Sequence, residues 1–340
     1  EFLVNEQKFS LTTDTNDLAM KMAVSGSQEN KLFYEDMHFL KDKRDSSEKY
    51  SKLYRDEKDE KQKEIYKNAL KKLDDEVKAK RQSVITTYPT TFYAKVLKSM
   101  KDIEVPEAPR DAEGALIDSS WAWRFYKAHY WDNFDLNDDR LLNTPILNNK
   151  LKDFYTRVII QNPDSLIVDG DALLQKMNPK GDIFKYTLVY MLNEMAKSKI
   201  MGFDAVYVHI VNTYYAKGYA TWVDSTQLYK INERGRILAP LLIGKQAMNI
   251  NLSDTTLKNF KSIYDIKSRF TVLCFWDPDC GHCKKEVPKL AEAYHKMKTD
   301  KIDVAVYAPS IMSIEEMKKW TDFIHEHNLD WINVADPYHQ

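Results

Sequence analysis

The chain has 340 residues, with 50 Lys and Arg against 51 Asp and Glu, and a net charge of −1. A chain of this length is expected to form two or three domains, and 43% apolar residues are enough to fill packed cores. The near-zero net charge argues against a nucleic-acid-binding protein. No apolar run reaches the roughly 18 residues of a membrane span, so no span is expected. The sequence starts with Glu rather than Met, so we expect either a removed leader or a fragment.

Residues 1–26 are predicted to form β structure. Apolar residues alternate along three short stretches, which contain Phe2 and Val4, then Phe9 and Leu11, then Leu18, Met20, Met22 and Val24. Two or three strands do not form a stable domain alone. We therefore interpret this segment as the remnant of an N-terminal β-domain.

Residues 27–240 are predicted to form an all-helical module. Ser27 is a candidate N-cap, and more than half of the residues between Lys41 and Arg81 are charged, with both signs interspersed. This pattern predicts a long solvated helix or helical hairpin, which ends at Tyr88-Pro89. A shorter helix is predicted from Thr90 to Met100. The prolines of Glu104–Arg110 then indicate a linker.

A dense aromatic segment follows the linker, and two interpretations of it are open. Its side chains form either a groove for a substrate peptide or partner, or helix packing, which is the commoner role of aromatic residues at helical spacing. The residues concerned are Trp121, Trp123, Phe125, Tyr126, Tyr130, Trp131 and Phe134. Further helices are predicted over 145–161, 182–200, 203–217 and 224–238. The module has no Cys, and its His129 and His209 are interpreted as packing or surface residues.

Residues 241–340 contain the clearest chemical motif, Cys280-Gly281-His282-Cys283. The apolar run Thr271–Trp276 before it is typical of a strand buried on both faces, and Asp277-Pro278-Asp279 ends that strand. The residues after Cys280 favour a helix. A Cys-x-x-Cys pair between a strand and a helix indicates a redox site.

The placement of the two cysteines predicts their roles. A thiol at a helix N-terminus faces unpaired N–H groups and the positive end of the helix dipole, which lower its pKa. Because the thiolate is the attacking species, Cys280 is the expected nucleophile and Cys283 the expected resolving cysteine. A zinc site is disfavoured, since Cys274 is the only other cysteine, and a structural disulfide closing so short a loop would stabilise little.

The motif and its neighbours resemble the thioredoxin fold, specifically the TlpA/ResA-like thiol–disulfide oxidoreductases of the Bacteroidetes type. The resemblance rests on Phe275-Trp276, on Cys280-Gly281-His282-Cys283 and on Lys284-Lys285-Glu286-Val287-Pro288. The candidate supporting residues of the redox pair are Trp276, Pro278, Gly281, His282, Glu286 and Pro288. It implies a multidomain chain in which residues 241–340 form an α/β thioredoxin-like fold. Pro288 stands where thioredoxins carry a helix-kinking proline, and Glu286 matches the acidic residue of this branch.

Two positions depart from the family pattern. Cys274 stands where thioredoxins carry a buried Asp, and Asp279 replaces the Trp before the nucleophile. A carboxylate at Asp279 is expected to raise the pKa of Cys280. The resemblance also implies two further strands and a cis-proline, for which Pro337 comes too early. We therefore expect the thioredoxin-like fold to be incomplete in this sequence and the natural protein to continue.

The predicted function is disulfide reduction, with protein or peptide thiols and disulfides and an upstream redox partner as reaction partners. The resemblance implies a location in the periplasm or cell envelope, with a lipid anchor as one means of attachment, and no metal or organic cofactor. One alternative is an isomerase or oxidant, because the Gly-His dipeptide matches that of protein disulfide isomerase, which is more oxidising than thioredoxin. The other is a partner-binding envelope protein in which the helical module captures the partner and the redox pair is secondary.

Overall fold

The computed structural model describes residues 2–310 and 312–337. The chain divides into two compact units, Glu1–Ile243 and Gly244–Gln340. The first unit has two short strands followed by helices, and the second has a mixed sheet with helices. This order confirms the predicted fold class, a short β segment, a helical module and an α/β thioredoxin-like fold.

The N-terminal segment contains less β structure than its alternating pattern predicts. Only β1 (Ser10–Thr12) and β2 (Ala23–Ser25) form, and they pair antiparallel. The stretch with Phe2 and Val4 is not a strand. The backbone of Leu3 instead pairs with the side chain of Asn30, which accepts from Leu3 N at 2.7 Å and donates to Leu3 O at 2.6 Å. A side chain, rather than a neighbouring strand, therefore satisfies this segment, and the prediction of a strand there was wrong.

The charged region forms the predicted helical hairpin. Its helices are α1 (Gln28–Asp56) and α2 (Glu60–Thr87), and α3 (Phe92–Ser99) follows. Each has a side-chain N-cap of the type that satisfies otherwise unpaired N–H groups, namely Ser27, Asp59 and Thr91.

Six more helices complete the first unit: α4 (Trp121–His129), α5 (Ile146–Asp153), α6 (Pro163–Gln175), α7 (Asp182–Lys197), α8 (Asp204–Ile210) and α9 (Ser225–Leu238). The sequence patterns did not predict α6. Asn162 caps it by accepting from Ser165 N, and Pro163 occupies its first turn. An Asn-Pro pair is as typical of a helix start as of a break, and here it is a start.

The aromatic segment supplies much of the core of this unit. Tyr130, Trp131 and Phe134 are buried, and the Tyr130 and Phe154 rings stack at 5.1 Å. Their packing supports the second interpretation of the segment, in which aromatic residues at helical spacing form a core.

The second unit is a five-stranded sheet in the order β4-β3-β7-β6-β5. Its elements are β3 (Asn251–Asp254), β4 (Phe260–Ser262), β5 (Phe270–Leu273), α10 (Cys283–Thr299), β6 (Val304–Ser310), α11 (Met317–Glu326) and β7 (Ile332–Ala335). Strands β5, β6 and β7 are parallel, and β3 is antiparallel to β4 and β7. The two β–α–β connections place α10 directly after β5.

The strand before the cysteines is more exposed than predicted. Within the described residues β5 pairs with β6 alone, at the edge of the sheet. Phe270 is 52% exposed and Leu273 is 39% exposed. The prediction of a strand buried on both faces was therefore wrong, because a uniformly apolar run does not reveal how many faces its neighbours cover.

Candidate active site

The redox motif lies where the chain leaves the sheet and enters α10. Parallel pairing with β6 continues past β5, because Cys274 N donates to Tyr307 O at 3.0 Å and Trp276 N to Pro309 O at 3.1 Å. The chain then turns at Asp277, whose side chain accepts from Asp279 N at 2.7 Å. Its carbonyl accepts from Cys280 N at 3.2 Å. This turn brings Cys280 to the start of the helix.

Cys280 occupies a position equivalent to a helix N-cap. Helix α10 begins at Cys283, and the carbonyl of Cys280 already accepts from Lys284 N at 3.0 Å. The backbone N–H of Cys283 donates to the Cys280 sulfur at 3.5 Å. This is the geometry in which an N-cap side chain satisfies a free N–H group of the first turn.

The hydrogen bonds to the Cys280 sulfur lower the pKa of its thiol. The thiol of Cys283 contributes most, followed by the backbone N–H groups of Cys283 and His282. Each donor stabilises the negative thiolate more than the neutral thiol. Cys280 is thus the cysteine of the pair with the greater thiolate character.

Cys283 has the opposite electrostatic environment. Burial raises the pKa of its thiol, and the hydrogen bond that it donates to Cys280 raises the pKa further. Cys274, Cys280 and Cys283 are all free thiols. The geometry therefore makes Cys280 the more reactive thiol of the pair and Cys283 the less reactive one.

Cys274 is a half-buried neighbour of the pair and packs against the same core as Cys283. Burial raises the pKa of its thiol, and the nearby Cys283 adds to the effect. Cys274 is thus a neutral group at the position where the family resemblance implied a buried acid.

Asp279, which the sequence predicted to raise the pKa of Cys280, forms ion pairs with two lysines. Its carboxylate accepts from Lys319 of α11 at 2.8 Å and lies 3.9 Å from the Lys284 ammonium. The hydrogen bond and charge of Lys319 lower the pKa of Asp279, so the carboxylate is ionised. Two cations neutralise that charge. The charge of Asp277 also raises the pKa of Cys280 and so opposes its thiolate.

The other predicted site residues lie around the pair in different environments. Trp276 is 4% exposed and its ring centroid lies 5.2 Å from that of Phe323. Pro278 is buried beneath the turn, and Pro288 lies inside α10 as the family pattern implies. Gly281 and His282 are exposed at the tip. Glu286 is also exposed and pairs with Lys289 at 2.8 Å.

Sequence reasoning missed two residues that the fold brings to the site. Asp277 appeared only as part of a strand-breaking turn, although its carbonyl and carboxylate organise that turn. Lys319 follows the motif by about forty positions, and no local pattern links it to Asp279. A charged residue that approaches through tertiary structure leaves no signal in local sequence.

Within 2–310 and 312–337, no group of three or more His, Cys, Asp or Glu is arranged to hold a metal ion. Among the helices in those ranges, none has the length and apolarity needed to cross a membrane.

Two family models match the chain. Residues 75–239 match a domain of unknown function, DUF5106, and residues 243–340 match the AhpC/TSA family. No curated protein matches the chain significantly.

Solved structures are also similar to parts of the chain. A domain of a possible thiol–disulfide isomerase from Cytophaga hutchinsonii is 38% identical over 30% of this chain and 67% of its own, with a TM-score of 0.27. The thioredoxin domain of a thiol–disulfide oxidoreductase from Bacteroides vulgatus is 27% identical over 27% of this chain and 62% of its own, with a TM-score of 0.24. A thioredoxin-like protein from Bacteroides caccae is 18% identical over 70% of this chain and 83% of its own, with a TM-score of 0.45.

These matches confirm the resemblance inferred from the redox motif. Residues 243–340 therefore form a thioredoxin-like domain that matches the AhpC/TSA family, and the DUF5106 match at residues 75–239 precedes it.

Proposed function

We propose that the protein is a thiol–disulfide oxidoreductase of the reductase type, with Cys280 as the nucleophile and Cys283 as the resolving cysteine. The observation that carries the proposal is the asymmetry of the pair. Hydrogen bonds from Cys283 lower the pKa of Cys280, whereas burial raises the pKa of Cys283. A disulfide exchange enzyme needs one thiol that attacks and one that waits.

The proposed reaction has two exchange steps. The Cys280 thiolate attacks a substrate disulfide, forms a mixed disulfide and releases one substrate thiolate. Cys283 then loses its proton and attacks the Cys280 sulfur, which releases the second substrate thiolate. The substrate has gained two electrons and, after protonation, two protons, and the enzyme holds a Cys280–Cys283 disulfide. An upstream dithiol donor returns the pair to the reduced state.

Protein or peptide disulfides are the proposed substrates, because the exposed Gly281-His282 tip allows a large molecule to approach Cys280. We further propose an extracytoplasmic location, in the periplasm or cell envelope, as the family resemblance implied. The name of the Cytophaga hutchinsonii relative makes isomerase activity the alternative, and the Gly-His dipeptide is compatible with it.

Cysteine variants test the proposal. With a model protein disulfide and excess dithiol donor, Cys280→Ser is expected to abolish turnover. Cys283→Ser, first reduced and then mixed with the same disulfide without a dithiol donor, is expected to retain the first step and to accumulate a mixed disulfide, detected as a reducible adduct on Cys280 by mass spectrometry. The matched control is Cys274→Ser, which removes the third thiol and leaves the pair intact.

The outcomes separate the three candidate functions. Turnover that survives Cys280→Ser would refute the oxidoreductase proposal and direct attention to binding by the helical module. Net reduction of the model disulfide by the unaltered chain supports a reductase. Reshuffling of a scrambled substrate without net reduction would instead assign the isomerase alternative.

A further inference from the structure

Two carboxylates flank Pro278 next to the redox pair, and they have different surroundings. Asp279 is adjacent to Cys280 in sequence but forms an ion pair with Lys319 at 2.8 Å, and Lys284 lies 3.9 Å away. Among the residues that the structure describes, no lysine forms an ion pair with Asp277. Its Oδ1 instead accepts a neutral backbone N–H, that of Asp279, at 2.7 Å. Such a bond orients a carboxylate without cancelling its charge.

Asp277 is also the residue that contacts both cysteines through its backbone. Its carbonyl accepts from Cys280 N at 3.2 Å, and its backbone also interacts with the Cys283 thiol, whose pKa that interaction lowers. The position of the Asp277 carboxylate relative to the two sulfurs is therefore fixed by the turn itself. A change of charge at this residue must be felt by the pair, because the turn leaves the side chain little freedom to move away.

We infer that Asp277, rather than Asp279, is the carboxylate whose charge acts on the redox pair. The ion pair with Lys319 cancels the effect that the charge of Asp279 would otherwise have on the two cysteines. This inference rests on the proposed function and deepens it. Asp277 is a positioning residue that disfavours the thiolate and thereby favours the disulfide over the reduced pair. A protein that stabilises its reduced form less has a lower reduction potential, so Asp277 makes the enzyme a stronger reductant.

The electrostatic balance at the two sulfurs supports this assignment. The charge of Asp277 works against the hydrogen bonds from Cys283 that lower the pKa of Cys280. It adds to the burial that raises the pKa of Cys283. The charges of Glu316 and Asp277 also raise the pKa of Lys319 on α11, but the Lys319 ammonium donates its hydrogen bond to Asp279. Other titratable side chains close to the pair in sequence are His282, Lys284, Lys285 and Glu286, and Cys274 packs against the same core as Cys283.

Three variants separate Asp277 from its neighbour. Asp277→Asn keeps an oxygen that accepts from Asp279 N and removes only the charge. Lys319→Met removes the closer of the two lysines that pair with Asp279. The double variant Asp279→Asn with Lys319→Met removes a neutral ion pair and is the matched control. Asp279 and Lys319 are largely exposed, so their replacement is compatible with folding.

The readouts are the pKa of Cys280, from the pH dependence of its alkylation mapped by mass spectrometry, and the potential of the pair in glutathione buffers. Asp277→Asn is expected to lower the pKa of Cys280 by about 0.5, the size Coulomb's law gives for a charge several ångströms away in water. A threefold shift of the exchange equilibrium toward the reduced pair corresponds to about 14 mV. Lys319→Met is expected to shift both quantities in the opposite direction, and the double variant to stay near the unaltered protein.

The inference and the proposed function fail in different ways. If the unaltered pair does not exchange with glutathione, the proposed function falls and the inference falls with it. If the unaltered pair exchanges normally but Asp277→Asn shifts the pKa and potential no more than the double variant does, the inference alone is wrong. A Lys319→Met variant that left both the pKa of Cys280 and the potential unchanged would likewise overturn it, since the ion pair with Lys319 would then have no effect on the redox pair.

Discussion

The backbone N–H of Cys283 donates to the sulfur of Cys280 at 3.5 Å. This bond links the two cysteines in the reduced state before any disulfide forms. It directs an N–H group at the start of α10 to the exposed thiol of Cys280, whereas the thiol of Cys283 packs among apolar neighbours. The helix start therefore assigns different chemistry to two residues of the same type.

This difference predicts the order in which the thiols react. At neutral pH, iodoacetamide is expected to alkylate Cys280 several-fold faster than Cys283 or Cys274, because the thiolate is the reacting species. The pKa of Cys280 is lowered, so its rate should rise with pH below the ordinary thiol pKa of about 8.5 and then level off. Mass spectrometry of the alkylated peptides gives each rate. Faster labelling of Cys283 would contradict the assigned roles.

Two neighbouring aromatic residues before the motif are predicted to differ in how much their replacement by Ala lowers the free energy of unfolding. Trp276 is 4% exposed, so Trp276→Ala is expected to cost about 3–5 kcal/mol of the free energy of unfolding of the second unit. Phe275 is 63% exposed, and Phe275→Ala is expected to change it by no more than about 0.5 kcal/mol. Hydrogen exchange of the β6 amides against urea concentration measures both. Equal effects would show that the two side chains are not on opposite sides of the chain.

A buried carboxylate in the first unit predicts a second large effect. Glu29 is 1% exposed and accepts from Phe92 N at 2.7 Å and Tyr93 N at 2.8 Å, which satisfies the start of α3. Glu29→Ala leaves these N–H groups buried without acceptors and is expected to cost about 2 kcal/mol or more. Glu35→Ala, an exposed position on the same helix, is the control. Urea unfolding followed by circular dichroism is the measurement, and similar midpoints for both variants would refute the prediction.

The hydrogen bonds from Lys95 and Arg140 to Asp138 predict a pH dependence of stability. The hydrogen bonds of Arg140 and Lys95 lower the pKa of this carboxyl well below its usual range. The stability it contributes is therefore fully present above the unfolded-state pKa of about 3.9 and is lost as the pH falls toward the lowered folded-state pKa. The difference in free energy of unfolding between the unaltered chain and Asp138→Asn is expected to shrink on acidification.

An exposed ion pair provides the control for this experiment. Lys78 and Asp74 are 68% and 58% exposed, and water screens their interaction. Asp74→Asn is expected to leave the free energy of unfolding almost unchanged, both above the unfolded-state pKa and on acidification below it. A pH-independent difference for Asp138→Asn would show that its ion pairs do not stabilise the fold.

The parts of this protein that could be predicted from sequence are those encoded locally. Cys280 and Cys283 were predicted because strand, turn and helix succeed one another within a short stretch, and Ser27 because a cap lies next to its helix. The helical hairpin followed from charge patterning. In each case the residues that determine the structure are close in the sequence.

The parts that could not be predicted depend on distant residues. The exposure of β5 depends on which strands lie beside it. The ion pair of Asp279 depends on Lys319, which lies on another helix. The start of α6 at Asn162-Pro163 was missed because the same dipeptide also ends helices. Local sequence patterns predict the type of these segments, but they do not reveal which distant residues pack against them.

The reduction potential of the Cys280–Cys283 pair tests the central claim most directly. Thiol alkylation across a series of glutathione ratios measures the reduced fraction of each cysteine. The account predicts two-electron exchange with a potential at or below that of thioredoxin, about −270 mV. A value far above this would assign an oxidant or isomerase instead. Absence of exchange at every glutathione ratio would contradict the claim that this pair carries the function of the protein.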